Sequence, residues 1–436
     1  MKRVLIIICA LLLALSLLCA CENEPVATSS EAESSVVAES SEEISEIISQ
    51  VEESDETPEP EDSVKLLFAR YTTKPQFVMI GTCAQGATVT ATIDEQEVTV
   101  PSYMGWFTVT MKSGTSSSQK VTFTQSIDGE QYDIPRTYTA VIRTPENLGT
   151  TAFASNKAYQ FFLAQMIPDF EGGNLFSQSQ IDGMKSRIKT RLEQLQSYND
   201  GAEIVYMIIP SPMTIYPELV PEQYTKGTGT TRYDQVTSAM KEAGATVIDV
   251  RELFMEHKND EMPLYYHLDS HWADYGAFLA YTQLFEHISK DFPEAAPRPI
   301  TDFKWTADYY TSADAMLFLG ITQSKVKEYG YYREFDFEDP GNITSVPRYR
   351  GMQLIYNDLT TFEKTFFTNR KELPSCVVYR DSYCAAIYDL IPERMNKTHY
   401  MGMWGYGWNN AVMKNEKPDY VIYITSEWNM FECVYN

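Results

Sequence analysis

The sequence predicts an α/β chain on a mostly parallel sheet, preceded by a small all-β sandwich. Three observations carry this expectation. Between about residues 63 and 146, seven short runs alternate apolar and polar residues at period two, with turn signals between them. From about residue 150 the texture changes to apolar strands alternating with helical patterns. Within that region "EIVYMIIPS" is a continuous apolar run, as expected for a strand covered on both faces of a parallel sheet.

In chain order, residues 1–20 read as a lipoprotein signal peptide: "MKR", an apolar core, then "LCAC". Leu18-Cys19-Ala20-Cys21 resembles a bacterial lipobox, which makes Cys21 the lipidated residue. The competing interpretation is an uncleaved signal anchor, but the apolar run is short for a membrane span. Residues 21–62 then form a stalk: positions 22–62 hold fifteen acids, no Lys or Arg and no aromatic residue. Such a segment buries too little apolar surface to offset chain entropy, and its charges repel one another. The net charge is −25, and the remainder from residue 63 is still mildly acidic. That argues against a nucleic-acid partner, which needs basic patches. The expected location is the outer face of the cell membrane, held there by the lipid anchor. After Cys21 the cysteines are Cys83, Cys376, Cys384 and Cys433, without metal-type spacing, and they are expected to be mostly unpaired.

Residues 63–146 supply the strands "VKLLFARY", "QFVMIGTC", "TVTATID", "QEVTVP", "WFTVTM", "KVTFTQS" and "TYTAVIR". "GTCAQGATVTATID" resembles the repeat opening of bacterial Ig-like domains. A spacer or a glycan-binding module is the expected role. Residues 150–436 then alternate. "SQIDGMKSRIKTRLEQLQSYND" places Ile181, Met184, Ile188, Leu192 and Leu195 on one helical face. "RYDQVTSAMKEAG" is a helix ending at Gly244, "ATVIDV" a strand, and "WADYGAFLAYTQLFEHISK" a helix. Residues 296–372 are Tyr-rich and irregular, an insertion or lid. "CVVY" is a strand, "SYCAAIYDLIPER" a helix and "DYVIYITSEWN" the last strand. In such sheets ligands bind beyond the carboxyl ends of the strands.

The chemistry concentrates in "HLDSHW" and "RDSY". The chain has five histidines, and two of them, His267 and His271, bracket Asp269. In an extended segment all three point to one side. They fit either three metal ligands or an Asp–His pair in which Asp269 orients His271 as base for a nucleophile. Ser382, at a strand-to-helix junction, fits the nucleophile, with first-turn N–H groups beside it to hold an oxyanion; it also fits an ordinary N-cap. Tyr266 and Trp272 can stack on a sugar ring or belong to the core, and Arg380 directly precedes Asp381-Ser382. These three are the candidate substrate-binding residues.

"HLDSHWADYGAFLAY" followed by "VVYRDSYCAAIYDLIPE" resembles the DHHW family, akin to the alginate O-acetylation proteins of the SGNH-hydrolase-like superfamily. Asp269, His271 and Trp272 match its Asp-x-His-Trp motif, and Asp381-Ser382 its nucleophile motif. "GGNLF", "IIPSPMTIYPELVP" and "KPDYVIYITSEWN" match further parts of the pattern. Asp-x-His precedes the serine, as in the alginate group. Glu427-Trp428 stands where the family often has Glu-Arg, and the second oxyanion donor is unassigned.

The resemblance, over roughly 150–436, implies an SGNH-hydrolase-like, flavodoxin-like sheet with helices on both faces. It also implies a catalytic set of Ser382, His271 and Asp269 with no cofactor and no metal. The implied reaction is O-acetyl transfer or ester hydrolysis on a cell-surface or secreted polysaccharide. A membrane-bound O-acyltransferase is implied as acetyl donor. The alternative is a non-catalytic surface protein that binds glycan or a partner in the same cleft. The two are separated by whether Ser382 Oγ lies within reach of the His271 ring.

Overall fold

A computed structural model describes residues 62–145, 152–310, 313–322, 325–336, 353–358, 363–403 and 407–436. The segment read as a signal peptide, Cys21 and all but the end of the segment read as a stalk lie outside these residues.

All seven β runs form strands, and a two-residue strand, Glu130–Gln131, adds an eighth. One sheet joins Lys65–Tyr71, Gln76–Thr82 and Trp106–Lys112; the other joins Gln96–Pro101, Thr88–Ile93, Ser118–Ile127 and Arg136–Val141. Phe77, Met79, Phe107 and Val109 of the first meet Val89, Ala91, Val121 and Phe123 of the second in one apolar core. Thr88–Ile93 alternates buried and half-buried residues, as a half-covered strand should. Gln76–Thr82 and Trp106–Met111 are buried on both faces instead. The reason is that their outer face packs against the α/β region. Thr110 Oγ1 donates to Ala154 O at 3.0 Å, and Asn156 Oδ1 accepts from Thr110 N at 2.7 Å.

The α/β region is a seven-stranded sheet in the order Thr246–Val247, Glu203–Ile209, Tyr420–Ser426, Ser375–Arg380, Lys397–Gly402, Glu363–Phe367, Gln353–Asp358. The first five strands are parallel and the last two antiparallel. Glu203–Ile209 shows why the core has two halves. Val205, Met207 and Ile209 enter one apolar layer with the helix Asp274–Ile288, while Ile204, Tyr206 and Ile208 enter the other with Gln178–Tyr198 and Arg232–Glu242. Helices therefore cover both faces. Ser177 with Gln180, and Thr231 with Asp234, form capping boxes that start two of them. Gly244, at φ +93°, stops the second in a left-handed conformation open to glycine.

Three local expectations are corrected. "ATVIDV" contributes only Thr246–Val247, because Asp249 turns aside to pair with Arg251 at 2.7 Å. "SYCAAIYDLIPER" is a 3₁₀ turn, Ser382–Ile387, and a separate short helix, Leu390–Glu393. Asp389 sits between them and holds Arg333 through two bonds of 2.6 and 3.0 Å. The described residues of the stretch 296–372 are not irregular. Phe303–Tyr310 and Glu328–Phe335 pair as an antiparallel ribbon, and two further strands extend the main sheet. The tyrosines that looked like lid residues are strand formers. Among the described residues no helix is long and apolar enough to cross a membrane.

Candidate active site

The site lies at the carboxyl ends of the parallel strands. "YYHLDSHW" is not extended. It folds back on itself, with Tyr265 bridging Trp272, Tyr266 N–H donating to His271 O at 3.2 Å and Ala273 N–H to Leu264 O at 2.8 Å. Asp269 closes this loop as an Asx turn: Oδ1 accepts the His271 backbone N–H at 2.9 Å and meets the ring Nδ1 at 2.6 Å. Its Oδ2 accepts from Asp314 N at 3.1 Å. On the other side of the ring, His271 Nε2 lies 2.9 Å from Ser382 Oγ. The structure thus brings Asp269, His271 and Ser382 together in hydrogen-bonding order. Asp269 is buried, while His271 and Ser382 are partly exposed.

Two cross-bonds fasten the loop to the serine turn. Trp272 Nε1 donates to Tyr383 O at 2.6 Å, and Tyr383 Oη donates back to Ser270 O. The turn has its own anchor. Asp381, not Ser382, is the N-cap, with Oδ1 accepting from Tyr383 N at 2.9 Å. Its Oδ2 accepts from Thr425 Oγ1, Ser426 N and Ser426 Oγ at 2.9–3.0 Å and from Asn429 Nδ2 at 3.3 Å. This corrects the expected oxyanion arrangement. The Tyr383 amide is spent on Asp381 Oδ1 and the Cys384 amide on Asp381 O. Among the first-turn amides, only that of Ser382 is left without a partner by the described residues.

Electrostatics follow from burial and pairing. Desolvation works against a charged His271, but Asp269, reinforced by Asp314 and Asp381, outweighs it and lifts the ring to about 9. Burial alone would raise Asp269; the His271 charge and hydrogen bonds bring it below the ordinary carboxylate range. Asp314 is raised to about 7 by burial and by Asp269. Its carboxylate accepts the Ser270 N–H at 2.6 Å and the Ser270 hydroxyl.

His267 does not join Asp269, His271 and Ser382. Its Nδ1 meets Gln160 Oε1 at 3.2 Å, its ring packs 4.7 Å from Tyr103, and burial pushes it down to about 4. The pattern of three ligands His267, Asp269 and His271 therefore does not converge. Among the described residues, the only acidic or histidine grouping compact enough for a cation is Asp269, His271 and Asp314, within 4.8 Å. There both ring nitrogens of His271 are already engaged by Asp269 and Ser382. The other histidines pair elsewhere, with Asp260, Glu203 and Glu363.

The candidate sugar-binding residues are corrected too. Trp272 is fully buried with its N–H spent, Tyr266 is buried, and Arg380 is buried with its guanidinium 5.5 Å from the Tyr388 ring centroid. Their faces are packed inside the protein. All four described cysteines are free and buried.

Sequence reasoning missed Asp314, Glu328 and Asn429, and noted Glu427 without giving it a role. Glu328 is buried, lifted by burial to about 8, and accepts the His267 and Leu268 amides. Glu427 is lifted by burial to about 7 and accepts Ser211 N at 2.6 Å and Thr214 Oγ1 at 2.7 Å. Glu427 follows the last strand and was legible as "SEWN"; Asp314 and Glu328 sit where no motif marks them.

Residues 172–335 match the family model described as SGNH hydrolase-like domain, acetyltransferase AlgX. The span holds the Asp269–His271 loop and ends before Ser382. Similar solved structures include PatB1 of Bacillus cereus with a sulfonyl adduct, at 14% identity, covering 64% of this chain and 97% of that one, TM-score 0.46. A DHHW family protein of Eubacterium siraeum is 12% identical, covering 72% and 92%, TM-score 0.42. The O-acetyltransferase domain of Pseudomonas putida AlgJ is 14% identical, covering 66% and 93%, TM-score 0.41. No curated protein matches the chain. The resemblance read in the motifs is thus met, over residues 172–335, by similarity to an SGNH hydrolase-like family model.

Proposed function

We propose that the chain is a lipid-anchored extracytoplasmic O-acyl transferase or esterase that moves an acetyl group on a cell-surface polysaccharide through an acyl-Ser382 intermediate. The observation that carries this is the 2.9 Å contact between His271 Nε2 and Ser382 Oγ, with Asp269 on the opposite ring nitrogen. As Oγ attacks the donor's acetyl carbon, its proton passes to Nε2. The carbon–oxygen bond to the leaving alcohol breaks, and that oxygen takes the proton from Nε2, leaving acetyl on Ser382. The acceptor hydroxyl then gives its proton to Nε2 and attacks the acetyl carbon, which restores Ser382 Oγ–H with the same proton. A sugar hydroxyl as acceptor makes a transferase, and water an esterase. Asp269 keeps Nδ1 protonated and supports the ring's positive charge in both halves. The free Ser382 amide is one oxyanion donor, a type of contact worth about 3 kcal/mol. The signal and stalk motivate the anchor, and a membrane-bound acyltransferase is the acetyl donor in this scheme.

The test is mass spectrometry of the full chain after exposure to an activated acetyl ester. Acetyl should appear on Ser382 and be absent from Ser382→Ala and His271→Ala. No serine adduct, together with retained glycan binding, would support the non-catalytic alternative instead.

A further inference from the structure

We propose that the β-sandwich is a clamp on the catalytic loop, acting through Tyr103 against His267, which makes both positioning residues for Asp269 and His271. The catalytic scheme leaves two features idle: the first histidine of "HLDSHW", and the whole β-sandwich.

Tyr103 stands at the tip of a sandwich hairpin. Its N–H donates to Trp106 O at 2.7 Å and its O accepts from Trp106 N at 2.9 Å, closing a two-residue turn over Met104 and Gly105. Both have positive φ, +50° and +80°. For Gly105 this is free; for Met104 it is costly, since a bulky side chain rarely adopts it. What the turn presents is the Tyr103 ring, partly exposed, leaving the sandwich for the neighbouring domain. There it lies parallel to Tyr159 at 5.3 Å and edge-on to His267 at 4.7 Å.

His267 is held from every other side. Phe161 N–H donates to its carbonyl at 2.8 Å, and Gln160 bridges its ring to Tyr266 O. Glu328 accepts its amide and that of Leu268. The aromatic contact with Tyr103 closes this cage, two residues before Asp269. Burial keeps the ring neutral, so the contact is one of stacking and not of charge. The broad seam behind it, through Thr110, Asn156 and Ala154, leaves the hairpin little freedom to withdraw. A free-swinging spacer needs neither the buried outer sheet face nor a ring inserted beside the active-site loop.

The kinetic part of this inference rests on the function proposed above; the structural part does not. The experiment is therefore double, on the full-length chain with wild type, Tyr103→Ala, Tyr103→Phe and Tyr138→Ala. Tyr138 is a partly buried tyrosine of the same sandwich whose hydroxyl bonds Val64 O, away from the loop. Hydrogen exchange of the peptide 264–273 should speed up about tenfold in Tyr103→Ala, return to the wild-type rate in Tyr103→Phe, and stay unchanged in Tyr138→Ala. With an acetyl ester, Tyr103→Ala should lower kcat about three- to tenfold with KM within about twofold, and adding His267→Ala should cost nothing further. Unchanged exchange in Tyr103→Ala, equal acceleration in Tyr138→Ala, or losses that multiply in the double variant would overturn the clamp. If the wild type has no serine-dependent turnover, the catalytic scheme fails and the exchange data still decide the clamp.

Discussion

Asp269 serves three donors with two oxygens: its own loop's amide, the His271 ring and the Asp314 amide. Removing its charge should therefore cost orientation more than folding. Asp269→Asn is expected to lower kcat on the order of 10⁴-fold, as the equivalent change does in serine proteases. Ser382→Ala and His271→Ala should each abolish turnover to a similar degree, because such residues act as a unit. His267→Ala should cost less than tenfold. Kinetics of the four variants on one acetyl ester, with folding checked by circular dichroism, separate these outcomes. The pH profile adds a sign. A base must be neutral, and carboxylates lift His271 to about 9, so kcat/KM should rise with pH through an acid limb above the ordinary histidine range. Asp269→Asn should move that limb to lower pH. For stability the same shift runs the other way: the paired, charged ring stabilises the fold fully below about 6.5, and this is lost as pH rises through about 9. The meeting of Asp269, His271 and Ser382 was legible because each sits in a short motif with little tolerance for other chemistry. Asp314 and Glu328 were not, since a buried carboxylate bonding backbone amides from 44 or more residues away leaves no local trace.

At the scale of elements, outside 296–372 the main helices and strands followed the apolar period, and two failures there were failures of length. "ATVIDV" and "SYCAAIYDLIPER" were cut short by Asp249 and Asp389, whose arginine partners lie on other segments or just past the strand. No local pattern encodes such pairings. The Tyr-rich stretch was misjudged because aromatic residues favour strands as readily as they line binding sites. The helix Asp274–Ile288 offers a test with an unusual sign. Ala at a helical glycine normally stabilises by about 1 kcal/mol. At Gly276 a Cβ would stand 2.5 Å from Leu264 O, the carbonyl that also accepts Ala273 N–H at the base of the catalytic loop. Gly276→Ala should therefore destabilise by about 1–3 kcal/mol, read as a lower denaturation midpoint, with the active-site loop displaced. A rise in stability would mean that the loop yields freely.

For the molecule as a whole, the anchor and the chemistry can be tested separately. Cys21→Ala should leave an unprocessed precursor or release protein into the medium, read by cell fractionation; normal processing and retention would remove the lipid anchor from the scheme. Chelators should leave acetyl-ester turnover unchanged, and loss restored by zinc would reopen the cluster of Asp269, His271 and Asp314 to a cation. The sheet order carries one more consequence. The strand Tyr420–Ser426 is the last in the chain and the third of seven in the sheet, inserted between Glu203–Ile209 and Ser375–Arg380. Its end also brings Thr425, Ser426 and Asn429 to the carboxylate beside the nucleophile. The sheet thus depends on contacts of very long sequence separation, which form late and slowly. If the chain is exported as proposed, one still being threaded through a membrane, with residues 420–436 not yet delivered, has a gap at the middle of its sheet and lacks the partners that hold Asp381 beside Ser382. Such a chain should stay pliable until its end is delivered, so a stop codon at Tyr420 should yield a protease-sensitive, inactive product despite sparing Asp269, His271 and Ser382.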